Sequence, residues 1–78
     1  MTILAKTESG SVYEFFSKDG KTFFRNGSTT GQITRSSHSL RIGQNIDILY
    51  IRDGLYGDPD NELSFIKSTP IVELTVCI

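Results

Sequence analysis

The chain has 78 residues, a formal net charge of −1 and a single cysteine. That length holds one domain with a small core, the lone Cys77 excludes a disulfide within the chain, and no apolar run reaches the roughly eighteen residues a membrane-spanning helix needs. One histidine and one cysteine offer little to a transition metal, so no metal or other cofactor is expected, and self-association is the expected supplement to so small a core.

The start, MTILAKTESGS, lacks the basic region and apolar run of a secretion signal, which with an unpaired thiol points to the cytoplasm. Residues 2–7 (TILAKT) alternate as a first strand and close on the turn ESG. Residues 11–16 (SVYEFF) make the second strand. Asp-Gly within SKDG at 17–20 then tolerates the positive φ angles of a type I′ reversal, and 21–25 (KTFFR) returns as the third strand. Residues 25–43 (RNGSTTGQITRSSHSLRIG) contain few large apolar side chains, and QITRS and HSLRI within them are each expected as a short strand.

Residues 44–51 (QNIDILYI) form a strong strand with Ile46, Ile48 and Tyr50 on one face. The other face is apolar after Asp47, which predicts burial on both sides. RDGLYGDPDN at 52–61 is an acidic loop with Leu55 and Tyr56 at its tip. ELSFIK at 62–67 is a strand, STP at 68–70 bends the chain because Pro70 supplies no backbone donor, and IVELTVCI at 71–78 ends on a period-2 apolar face of Val72, Leu74, Val76 and Ile78. No window holds a helical period over three turns. The fold expected is all-β, a small antiparallel barrel or sandwich of six to seven short strands, homo-oligomeric, in one domain over residues 1–78.

Charge is split along the chain. Residues 1–46 carry six basic against three acidic side chains, +3, and residues 47–78 carry two against six, −4, which sum to the net −1. Between Lys21 and Ile46 there are four basic residues and no acid. Arginine offers phosphate a planar two-bond fork, hydroxyls add short neutral donors, and glycine lets backbone N–H groups approach an anion. This composition suits a phosphorylated ligand. Arg25, Arg35 and Arg41 would pair with phosphate. Thr34, Ser36 and Ser37 would add hydrogen bonds, and Phe24, His38, Tyr50 or Tyr56 would stack on a base. The same composition is also that of an ordinary solvated loop, or of a surface that receives the acidic half of a neighbouring copy.

Enzyme readings rank last. Cys77 and His38 lie far apart in sequence, no nucleophile–base motif is present, and GSTTGQITRS lacks the Gly-Lys-Ser core of a phosphate loop. The acids of 53–62 are oxygen ligands without EF-hand spacing, and read first as a solubilising turn.

TESGSVYEF, LRIGQNIDILYIRDG and FIKSTPIVELTV, in that order, resemble the layout of short all-β proteins encoded by bacteriophages. The resemblance implies a host-cell setting. It also implies either a non-enzymatic sponge for cyclic nucleotides used in bacterial immunity or a module that binds a host protein. No residue role carries over from it. The primary expectation is therefore a binding module for a phosphorylated, nucleotide-like anion. The alternatives are a protein-interaction module using an edge strand or the Leu55–Tyr56 loop, and a small barrel binding single-stranded nucleic acid.

Overall fold

The computed structural model describes residues 1–52 and 63–77. Six strands follow in order: β1 (Thr2–Thr7), β2 (Val12–Lys18), β3 (Lys21–Asn26), β4 (Thr29–Ser36), β5 (Asn45–Arg52) and β6 (Ser64–Cys77). Each pairs antiparallel with the next, and β6 returns to β1 to close a barrel. The described residues form no helix, so none is long and apolar enough to cross a membrane.

The β2–β3 reversal forms as its sequence predicts. Asp19 and Gly20 have φ of 54° and 76°, both positive as a type I′ turn requires. Period-2 alternation then sets the core. Tyr13 and Phe15 on β2, Phe24 on β3, and Ile46, Ile48 and Tyr50 on β5 point inward, joined by Ala5 and Ile71. The Phe24 and Tyr50 rings meet edge to face, with centroids 4.7 Å apart. Gly31, opposite Phe24 in the ladder, makes room for them. A Cβ there would lie 2.6 Å from Tyr50 Cδ2 and 2.8 Å from the Ile51 carbonyl oxygen.

Three expectations need correction. HSLRI is not a strand: residues 37–44 form a loop that turns at Gly43 (φ 88°). The loop is tied to β6 by Gly43 N–H donating to Ile71 O (2.7 Å) and Ile71 N–H donating to Gln44 O (3.0 Å). Of its two large apolar residues only Leu40 reaches the core, while Ile42 stays exposed. A segment burying one side chain has no apolar face to hold it in a sheet.

STP does not separate two strands either, because β6 runs through Pro70 as one strand. Pro70 is the last residue paired with β5, and from Ile71 onward the partner is β1. The missing donor therefore falls where the strand changes neighbours. Close by, the ladder slips between Asn45 and Asp47, and Ser68 Oγ accepts the Ile46 N–H at 2.9 Å in place of a backbone partner.

The third correction concerns which residues of β6 face inward. A bulge opposite Lys6 and Thr7 inserts Val72 as an extra residue. Ile71 is thereby buried (1% exposed) and Val72 is half exposed (50%), so β6 packs on the core through Ile66, Ile71 and Leu74, while Val76 is exposed and Ile78 lies outside the described residues. β5 meets its own expectation on one face only, since Leu49 and Ile51 on the outer side are half-buried. The apolar strand at the end of the sequence pairs with β1.

Candidate functional site

All six strands close the barrel, and the β3–β4 ladder is its shortest register. That ladder runs from Asn26↔Thr29 to Phe23↔Gln32 and stops there. β3 still has Lys21 and Thr22 to offer, and β4 continues to Ser36, but β4 now follows β5 alone. A bulge at Thr34 accompanies the divergence, between the pairs Ile33↔Tyr50 and Arg35↔Leu49. Thr34 Oγ1 donates to Leu49 O at 3.2 Å, which fastens the bulged residue to β5 rather than to β3.

A cavity of about 550 Å³ occupies this divergence. Its apolar part is Ile3, Phe15, Ile33, Leu40 and Ile48, all core residues or packed on the core, with exposed Met1 and the outward Phe16 at its edge. Its polar margin is residues 34–39, with Ser17 and Thr22 across from them. Side chains of both directions line it. Phe15 points into the barrel and Phe16 out; Ile33 points in, and Arg35 shares an outward row with Leu49. The cavity is therefore a slit through the wall as well as an opening at the barrel end.

Five sequence-predicted residues meet here: Thr34, Arg35, Ser36, Ser37 and His38. All five are exposed. Ser36 Oγ donates to the His38 carbonyl at 2.7 Å, and Ser37 N–H donates to Asp47 O at 2.9 Å, so the strand-to-loop passage is held by its own backbone and hydroxyl. Arg35 forms no ion pair among the described residues. No Asp or Glu appears among the described residues of the lining. Lys18 and Lys21 flank Asp19 in the turn next to Ser17 and Thr22, which leaves one net positive charge at the same barrel end.

The remaining predicted residues do not join them. Phe24 (0% exposed) and Tyr50 (6%) are core rings, so neither is available to stack on a base. Arg25 lies on the outer wall, 3.6 Å from Glu14 and 5.6 Å above the Phe16 ring. Arg41 is exposed on the 37–44 loop but does not line the cavity. Tyr56 and the acidic loop fall outside the described residues. Among the described residues no group of three or more His, Cys, Asp or Glu is placed to hold a metal ion.

The acid-free segment is thus not one site. β4 carries it along the barrel, leaving Ser28, Thr29 and Thr30 beside Arg52 in a separate recess of about 440 Å³. Arg52 had no distinguishing sequence signal, since it precedes an acidic loop rather than sitting in the basic segment. The apolar lining was missed because Ile3, Phe15 and Ile48 read as core, which they also are. No protein-family model, curated protein or solved structure matches the chain.

Proposed function

We propose that the protein is a non-enzymatic binding module that holds a small anionic molecule in the cavity between β3 and β4. One observation carries this reading. Arg35, His38 and a run of hydroxyls edge a cavity of about 550 Å³ whose described lining contains no acid. That volume falls within the range of roughly 300–1,000 Å³ typical of small-molecule sites. The guanidinium pairs with phosphate or carboxylate oxygens, and Thr34, Ser36, Ser37 and Ser39 add neutral donors. A nucleotide remains one candidate, with Phe16 as the aromatic side chain at the outer margin for a base to meet. The host-cell, phage-derived setting belongs to this proposal as the context in which such a module sequesters a signal.

Thermal shift against inorganic phosphate, mononucleotides, cyclic oligonucleotides and small carboxylates tests the reading. A ligand at a hundred times its dissociation constant adds about 2.7 kcal/mol. In a domain of this size that raises the midpoint by about 10–20 °C. Arg35→Gln removes the shift, and Arg41→Gln, away from the cavity, keeps it. A flat response to every anion refutes the reading.

A second reading rests on Phe65. It is 72% exposed on the outer face, in register with Leu49, and the next outward row sets Asp47 beside Lys67. A two-fold-related copy would bury the apolar residues and cross its Asp47 and Lys67 with their counterparts. Native mass measurement of the parent and Phe65→Ser decides it: a dimer lost in the variant supports self-association, and a monomeric parent removes it.

A further inference from the structure

We infer that the ligand is an elongated amphiphile, an aliphatic chain with an anionic head, lying with its chain inside the barrel and its head at Arg35 and His38. This rests on the anion-binding reading and names the ligand class.

The argument starts from the two directions of the lining. Inward-facing Phe15 and Ile33 and outward-facing Phe16 and Arg35 border the same space, so one ligand can lie partly within the wall and partly outside it. The inner portion is Ile3, Phe15, Ile33 and Ile48, with no charged side chain among them. An anionic group placed there would lose its hydration with no side-chain cation to replace it, which burial of a charge does not tolerate. The head is therefore confined to the margin, where Arg35, His38 and the hydroxyls are exposed.

The inner portion favours the opposite chemistry. Each methylene moved from water into it strengthens binding about fourfold. Its surfaces are mainly branched aliphatic side chains, which suit a flexible chain better than a flat heteroaromatic ring. The rings that could have sandwiched a base, Phe24 and Tyr50, are locked edge to face in the core. A base buried among these isoleucines would leave its own ring donors and acceptors unpaired.

The shape of the opening agrees. Because the β3–β4 ladder ends at Phe23↔Gln32, the space is open along the strands rather than only at the barrel end. A chain can lie along that slit with its head beside residues 34–38. A compact anion such as inorganic phosphate would meet only the margin and leave the apolar lining wet.

Isothermal titration with octyl phosphate, octanol, inorganic phosphate and adenosine monophosphate tests this, paired with methyl NMR of the isoleucines. Octyl phosphate is expected to bind at least tenfold more tightly than the other three and to shift the methyls of Ile3, Ile33 and Ile48. Arg35→Gln weakens octyl phosphate about tenfold and leaves octanol unchanged. Leu40→Asp weakens both, and Arg41→Gln weakens neither. Phosphate or the nucleotide binding as tightly as octyl phosphate overturns the amphiphile and leaves the anion-binding reading standing. No binding by any of the four overturns both. Octanol binding as tightly as octyl phosphate, or shifts confined to exposed residues, overturns the assignment of head and chain.

Discussion

Gly31→Ala is the sharpest test of the barrel's geometry. Gly31 does not have a positive φ, so alanine fits its backbone and the whole effect is steric. The added Cβ would sit 2.6 Å from Tyr50 Cδ2, 2.8 Å from Ile51 O and 3.1 Å from Phe24 Cε1. The first and third contacts are rings fixed against each other, and the second is the backbone of the paired strand, so none yields without moving the core. Overpacking of this kind costs about 3 kcal/mol. The smaller conformational freedom of alanine in the unfolded chain returns about 0.4–1 kcal/mol, leaving a net loss of about 2 kcal/mol. For a domain of this size that lowers the thermal midpoint by about 8–16 °C. Calorimetry of the parent, Gly31→Ala, Tyr50→Val and the double variant measures it. The double variant should be more stable than the sum of the single losses, because removing the ring relieves one of the three contacts. A Gly31→Ala midpoint within about 2 °C of the parent would refute the close approach of β4 to β5.

Four further outcomes follow from the same structure. Ile71→Ala should cost about 2–5 kcal/mol, whereas Val72→Ala, one residue along but outside the core, should stay below about 1 kcal/mol in the same urea titration; equal losses would contradict the bulge. Asp19→Val places a β-branched residue at φ 54° and should lose about 1–2 kcal/mol by chemical denaturation, with Asp19→Gly tolerated. Burial pushes the Tyr13 hydroxyl above its ordinary 10.0, more than the Asn26 side chain beside it pulls it down. The folded protein therefore keeps that proton to higher pH than the unfolded chain, so the stability involved is intact below 10.0 and is lost as pH rises beyond it; urea midpoints from neutral to strongly alkaline pH should fall less in Tyr13→Phe. Arg25→Ala removes an exposed pair with Glu14 and should change stability by less than about 1 kcal/mol while leaving anion binding intact.

The fold was legible where short-range chemistry is decisive. Asp19-Gly20 carries its turn in two residues, and the alternation through Tyr13, Phe15, Ile46, Ile48 and Tyr50 marks its inner face directly. The end of the chain was harder. A proline suggests a break, but here it falls where β6 exchanges one neighbour for another, which no local pattern reports. The Val72 bulge turned Ile71 inward in place of Val72 while Leu74 kept its expected side, for the same reason: it is fixed by the register against β1, some sixty-five residues earlier in sequence. Of the site, residues 34–38 were legible as a polar, acid-free run. The cavity beneath them was not, because it depends on where the β3–β4 ladder ends. Phe24 and Tyr50 were aromatic and near in sequence to the arginines, but facing direction decides availability, and both turn inward.

Closure of the barrel by β6 also places unequal entropic demands on its pairings. β1 meets β2 across a short turn, yet its other neighbour is residues 71–77. Loop-closure entropy for that second pairing must be met across almost the whole sequence before its contacts contribute. The β2–β3 hairpin joins neighbours in sequence, whereas Ala5 and Ile71 are brought together by the pairing of greatest sequence separation in the barrel. During synthesis β1 stays open on one side until β6 has been made, so a nascent or truncated chain lacking residues 71–77 exposes a bare strand to its neighbours.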